Sequence, residues 1–400
     1  MRKVELLAPA GDLEKLKIAY LYGADACFIG GKEFSLRARA SNFSLADIKE
    51  GAKIAHMLNK KLYVTTNIVP HHENYEGLLE YLKELEKASV DGIIVASPYI
   101  AKVAKDHTNL EVHVSTQQSV LNTYHLNFWE DLGASRVVLG RELDYEQILK
   151  ITAISGLDIE VFIHGGMCSS YSGRCTLSNT FTLRDANRGG CAHSCRWDYN
   201  LYDGEEKIST KIPFSMGSKD MQTLREIPKI IDCNVNSLKI EGRMKSLHYI
   251  ATVVKTYRML IDEYLGTGKV KDFSIYEEEI MKAESRITNT GFFNKENIND
   301  LQLYSEGDER PSQLFVGLVL DGSTDLALVE QRNYFEVGDK LELFSPLGEN
   351  KTFILKEMFD EEKKPLKVAR HPQQKVYLKI PYKVNEYDML RKVYAETYKE

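Results

Sequence analysis

Eight short apolar runs, rich in β-branched and aromatic residues, recur through the first 240 residues, at positions 4–7, 26–29, 62–65, 92–95, 112–114, 136–139, 159–163 and 237–240. Segments between them carry apolar residues at helical spacing, as in Leu13, Leu16, Ala19 and Tyr20, or Leu78, Leu79, Leu82 and Leu85. Strands that alternate with helices pair in parallel through crossovers. Eight such units predict an α/β chain built as a (β/α)8 TIM-like barrel. A doubly wound open sheet is the rival arrangement of the same units.

At 400 residues the chain exceeds an ordinary single domain. The barrel is expected over 1–270. Within it, 244–264 reads as a long helix, with Ile250, Val253, Val254, Tyr257, Leu260 and Ile261 on one face. A charged helical connector follows over 271–311. From 313 the pattern becomes alternating (Leu314, Val316, Leu318; Leu341, Leu343; Val376, Leu378, Ile380), with turn signals at Gly338-Asp339 and across 346–350. This predicts a small antiparallel β-barrel over 312–385. It would either bind RNA or another partner, or simply pack on the large domain. A charged helical tail is expected over 386–400.

Active sites of such barrels form at the C-terminal ends of the strands. The polar residues there include Arg39, Asn67, Gln117, Arg141, His164, Glu241 and Arg243. Guanidinium groups bind carboxylate or phosphate through paired hydrogen bonds, so this mouth suits an anionic substrate. A formal net charge of −6 argues against a uniformly basic nucleic-acid binder but not against a local basic cleft.

The connection between the seventh and eighth runs, 165–236, is far longer than an ordinary loop. Long insertions at the catalytic end of a barrel are functional subdomains. This one holds four of the six cysteines, Cys168, Cys175, Cys191 and Cys195, spaced C-x6-C-x15-C-x3-C among glycines. Three readings compete: ligands of an iron–sulfur cluster, which tolerates varied spacing; a tetrahedral zinc site, for which Cys168 and Cys175 lie too far apart to form a usual knuckle; or redox and packing thiols. Cys27, inside a strand, reads as a small core hydrophobe. Cys233 reads as structural, with a substitute-ligand role as its alternative. A Cys or Ser nucleophile beside His164 would be needed for proteolysis, and no triad signature surrounds it.

The N-terminus lacks the apolar core of a secretory signal, and no stretch is long enough to span a membrane. The expected location is the cytoplasm, where clustered cysteines more often hold metal than form disulfides.

The segment 160–178 (Glu160, Phe162, Gly165, Cys168, Ser172, Gly173, Cys175, Leu177, Ser178) resembles the signature of peptidase family U32, the collagenase-like proteins. Blocks at 6–11, 36–43, 218–220 and 237–246 resemble the family too; Gly166 departs from its usual Ala or Ser. Cys191 and Cys195 followed by Arg196-Trp197-Asp198-Tyr199 look most like the branch that hydroxylates tRNA. The resemblance implies an oxygen-independent enzyme forming 5-hydroxyuridine at the wobble position, with prephenate, a small dicarboxylate, as hydroxyl source. It also implies a [4Fe–4S] cluster on Cys168, Cys175, Cys191 and Cys195. Arg39, Asn67, Gln117, Arg141 and Arg243 are then candidates for the co-substrate, and His164 and Glu241 for proton transfer. A splayed base would stack on Tyr171 or Trp197, with Arg184, Arg188, Arg196, Lys219 and Lys245 on phosphates. The alternatives are a U32-type hydrolase and a non-catalytic RNA-binding factor with a structural metal. Each arginine has a plain surface ion pair as its rival reading.

Overall fold

The computed structural model describes residues 3–35, 42–171, 174–208, 214–283, 286–295, 298–303, 312–322 and 325–393, apart from the side chains of residues 298 and 299. Eight parallel strands pair in sequence order: Glu5–Pro9, Ala26–Gly30, Lys61–Thr66, Gly92–Val95, Glu111–Val114, Arg136–Val138, Asp158–Gly165 and Ser237–Ile240. They are the eight runs expected from the sequence. Leu238 of the last strand lies opposite both Leu6 of the first and Val161 of the seventh. The sheet is therefore a closed barrel, and the open-sheet rival is excluded.

Six of the barrel strands hand over to a helix whose start is marked by a capping side chain. Asp12, Ser44, Ser97, Asn122, Asp144 and Ser246 each accept a hydrogen bond from a first-turn backbone N–H. Such caps are worth about 1 kcal/mol apiece. They fix where the strand-end loops stop, and so the outline of the barrel mouth. The last helix, Leu247–Thr267, is buried along most of its first four turns.

Inside the barrel an apolar layer (Leu7, Ala26, Phe28, Tyr63, Ile94) adjoins an ionic one. Glu160 accepts from Lys239 Nζ at 2.7 Å and from Arg136 Nη1 at 3.3 Å, and Arg136 also pairs with Glu5 at 2.5 Å. Burial opposes the charge on Glu160, but Lys239 and Arg136 outweigh it and hold its carboxyl well below the usual range. Lys239 is thus part of the barrel's interior.

The C-terminal segment forms an antiparallel half-barrel. Its strand order is Lys351–Ile354, Lys340–Phe344, Met389–Val393, Gln313–Asp321, Ala327–Gln331, Lys375–Leu378, Met358–Phe359. Val316, Leu341, Val376 and Leu390 belong to its own core, while Leu318, Phe344 and Met389 join the barrel's. Met389–Val393 corrects the expected helical tail. The charges of Arg391 and Lys392 hid a central strand, because Arg391 is fully buried rather than solvated. Its guanidinium is held by Glu279 at 2.6 Å and Glu342 at 3.0 Å, with Thr252 and His248 completing its hydrogen bonds. In the connector, helix Ser274–Met281 and the short Ile298–Leu301 flank a two-residue strand, Thr288–Asn289. Among the described residues no helix is long and apolar enough to cross a membrane.

Candidate functional site

The seventh strand runs on past the barrel rim to Gly165 and is met there by an antiparallel strand, Asp220–Gln222, from the far end of the insertion. Met221 lies opposite Gly165 and Gln222 opposite His164. This pairing folds the cysteine-bearing segment back over the mouth. Gly165, at φ +105°, makes the turn possible. A Cβ there would meet the Glu241 carbonyl oxygen at 2.3 Å, so the chain ends of strands seven and eight touch only because no side chain intervenes.

His164 is buried, with its Nδ1 3.2 Å from the Tyr257 hydroxyl and its ring edge-on to that tyrosine. The Glu241 backbone N–H donates to the His164 carbonyl at 2.8 Å. The two expected proton carriers are therefore joined through their backbones.

Asp220, 3% exposed, gathers three cations: Arg196 at 3.4 Å, Arg286 at 3.6 Å and Lys245 at 3.7 Å. Among the described residues these three cations share one carboxylate, an arrangement that suits a further anion. Arg141 extends the cationic patch. Its guanidinium covers the Phe162 ring at 3.7 Å and donates to the Gly166 carbonyl, and the Arg196 guanidinium also packs on Gly166. Asp220 and Arg286 were not singled out as site residues by sequence. The only signal was the family-like block at 218–220, and nothing local marks Arg286 as its partner.

In the insertion, Ser178 is the tie. Its buried hydroxyl accepts from the Ala192 backbone N–H at 3.0 Å, joining the Cys175 side of the loop to the Cys191 side. Cys195 is pushed up first by burial; the Ser169 hydrogen bond and Arg196 oppose this, and the charges of Cys191 and Cys175 add to it. The Ser169 hydrogen bond sets the Cys168 segment beside Cys195. Cys168 and Cys191 are exposed, Cys175 and Cys195 half-buried. A cavity of about 450 Å³ opens here, lined by Ser169, Arg174, Cys175, Phe214 and Met216 among others. Among the described residues no three His, Cys, Asp or Glu side chains converge tightly enough for one metal ion. A four-iron cluster asks less convergence, since each thiolate takes a different iron, and a donor set of four cysteines suits it.

Residues 11–302 match the model of peptidase family U32, and residues 311–391 that of the peptidase family U32 C-terminal domain. The chain belongs to peptidase family U32. The tRNA hydroxylation protein P1 of Bacillus subtilis (strain 168) is 47% identical over 403 residues, covering 98% of this chain and 95% of that protein. The tRNA hydroxylation protein P of Escherichia coli (strain K12) is 32% identical over 431 residues, covering 95% and 94%. A protein named collagenase from Porphyromonas gingivalis (strain ATCC BAA-308 / W83) is 30% identical over 361 residues, covering 86% of each.

The remaining candidates of this U32 chain divide. Asn67 and Gln117 are brought together, the Asn67 amide donating to Gln117 Oε1 at 2.7 Å. Arg243 is buried and donates to Ser35 Oγ at 3.2 Å. Arg39 lies outside the described residues. Arg188 is not a free phosphate ligand: Glu73 at 3.0 Å, Asn74 at 2.9 Å and His71 at 3.1 Å hold it. Arg184 is exposed and, among the described residues, has no ion pair. Trp197 and Tyr171 are both exposed, and Phe181 packs between Trp197 and Tyr199.

Proposed function

We propose that this protein hydroxylates tRNA, forming 5-hydroxyuridine at the wobble position with prephenate as hydroxyl source and a [4Fe–4S] cluster on Cys168, Cys175, Cys191 and Cys195. The carrying observation is the overlay of two things at one barrel mouth: a thiol-bearing insertion, and a buried carboxylate with a surplus of cations. The names of the two tRNA hydroxylation relatives agree with it. When bound, the cluster supplies one-electron chemistry that no side chain here provides.

The protein's own residues do the rest. Arg196, Lys245 and Arg286, already gathered by Asp220, bind one carboxylate of a dicarboxylate co-substrate. Arg141, oriented by the Phe162 ring and the Gly166 carbonyl, takes the other. Tyr257 fixes the ring of His164, and His164 and Glu241 move protons at the reacting centre. The insertion covers the mouth and excludes water.

The test is anaerobic purification and reconstitution with iron and sulfide, then incubation with tRNA and prephenate. The expected result is a brown, iron-containing protein that adds one oxygen to a wobble uridine, read by nucleoside mass spectrometry. A colourless protein that stays iron-free, or that binds zinc instead, would sink the cluster. Peptide hydrolysis by that iron-free form would favour the hydrolase reading that the collagenase relative's name suggests.

A further inference from the structure

A second cleft, of about 400 Å³, lies where the insertion meets the ends of strands two and three, away from the thiols' own cavity. Lys32, Phe34 and Ser35 line its barrel wall, and Leu183, Arg184 and Arg188 its insertion wall. Its base is the barrel mouth itself, since Ser35 Oγ is bonded to Thr65 at 3.0 Å and to the Arg243 guanidinium.

Two strained residues converge on it. Phe34 and Leu183 both adopt the left-handed conformation, at φ +55°. Bulky side chains avoid that region because Cβ crowds the following carbonyl. Among the described residues the large apolar side chains with positive φ are Phe34, Leu183 and Tyr387, so two of the three line one cleft. Leu183 caps helix Leu177–Thr182, a position that favours glycine or asparagine. Glycine would cap the helix without strain, yet a leucine stands there with 93% of its surface in water. Neither packing nor backbone geometry accounts for it, and strain of this kind collects where a ligand is held. Phe34, by contrast, is steadied by the Tyr81 ring at 5.2 Å.

The charges agree. Lys32 and Arg184 are exposed on opposite walls and, among the described residues, neither forms an ion pair. Arg188 is fully committed to His71, Glu73 and Asn74, which fixes the rim between them. The volume is that of a small-ligand pocket. It admits one nucleotide and is too small for a base-paired stem.

We propose that this cleft takes a single nucleotide extruded from an RNA loop. Leu183 is the wedge that fills the gap left in the base stack, Phe34 the apolar wall for the extruded base, and Lys32 and Arg184 the contacts to the flanking phosphates. The inference rests on the RNA reading above and adds to it the place where the nucleotide is held. Apolar wedges of this sort are a general means of unstacking a base for chemistry.

The full-length protein is titrated into an anticodon-type stem-loop RNA that carries 2-aminopurine directly 3′ of the loop uridine. With wild type, fluorescence rises on binding as the neighbouring base leaves the stack. Leu183→Ala is expected to bind within about threefold of wild type but to give less than roughly half the fluorescence gain, whereas Leu183→Met restores it. Lys32→Ala and Arg184→Ala are expected to weaken binding about threefold or more and to lower the salt slope by about one each, with the gain at saturation kept. A full gain with Leu183→Ala, or unaltered affinity and salt slope in both cation variants, overturns the cleft assignment while the RNA reading stands. Failure of the wild-type protein to bind the stem-loop overturns both.

Discussion

Neutralising Glu160 isolates what the ionic layer inside the barrel contributes. Glu160→Gln leaves Arg136 with Glu5 and Asp158, but strips Lys239, 4% exposed, of its carboxylate. Removing one partner of a buried ion pair costs about 3–5 kcal/mol. Here the glutamine oxygen can still accept a hydrogen bond from Lys239, and the Phe28 and Phe162 rings lie 4.5 and 5.5 Å from its ammonium. The cost therefore falls at the lower end, about 3 kcal/mol. At about 2 °C per kcal/mol, the low end of the range that applies to a unit this large, the apparent Tm should drop by about 5–6 °C. Differential scanning calorimetry at pH 7 reads this directly. Glu160→Gln combined with Lys239→Met should regain most of the loss, because no charge is then left buried and unpaired. The pH dependence follows the same pair. The folded carboxyl titrates at about 2 against an ordinary value of 4.5. Its contribution is therefore complete above 4.5 and is lost as pH falls from there towards 2. The variant should lack this component of acid destabilisation. A Tm within about 2 °C of wild type, under 1 kcal/mol, would refute the layer's role, as would a double variant no better than the single one.

Three further outcomes follow from the site and the fold. Arg196→Ala should raise KM for the dicarboxylate by about tenfold to a hundredfold, the equivalent of 1.5–3 kcal/mol for a hydrogen bond to a charged group; steady-state kinetics with tRNA saturating decides it, and an unchanged KM moves the anion elsewhere. Cys191→Ser should lose most of its iron after anaerobic reconstitution, by iron determination and visible absorbance, and retained iron would remove Cys191 from the ligand set. Arg391→Met should destabilise the chain by about 3 kcal/mol, since among the described residues Glu279 and Glu342 would then be ion-paired with Lys282 alone; a calorimetric change under about 1 kcal/mol would show that the two carboxylates are not held by Arg391.

The barrel was legible because its signals are local. Each strand is a short apolar run, and six of the helices open on a capping side chain, such as Asp12 or Ser44. The insertion was legible for the same reason, as an overlong loop crowded with cysteines. What the sequence did not reveal depends on distant partners. Arg391 looks like a solvent-facing tail residue until Glu279 and Glu342 are beside it. Asp220 becomes a charge centre only when Arg196, Lys245 and Arg286 meet there. Arg188 carries the same local marks as Arg184, yet one is locked to the 71–74 turn and the other faces the cleft. The left-handed backbone at Phe34 and Leu183 has no sequence signal at all, because turn chemistry is marked by glycine and asparagine, not by bulky apolar residues.

The proposed function requires this U32 chain to hydroxylate tRNA through its cysteine insertion. It is tested most directly by nucleoside mass spectrometry of tRNA from a strain in which this is the sole member of its family. 5-Hydroxyuridine and its derivatives should vanish when the chain is deleted, return with the wild-type gene, and stay absent with Cys191→Ser. Unchanged levels of those nucleosides in the deletion strain would contradict it.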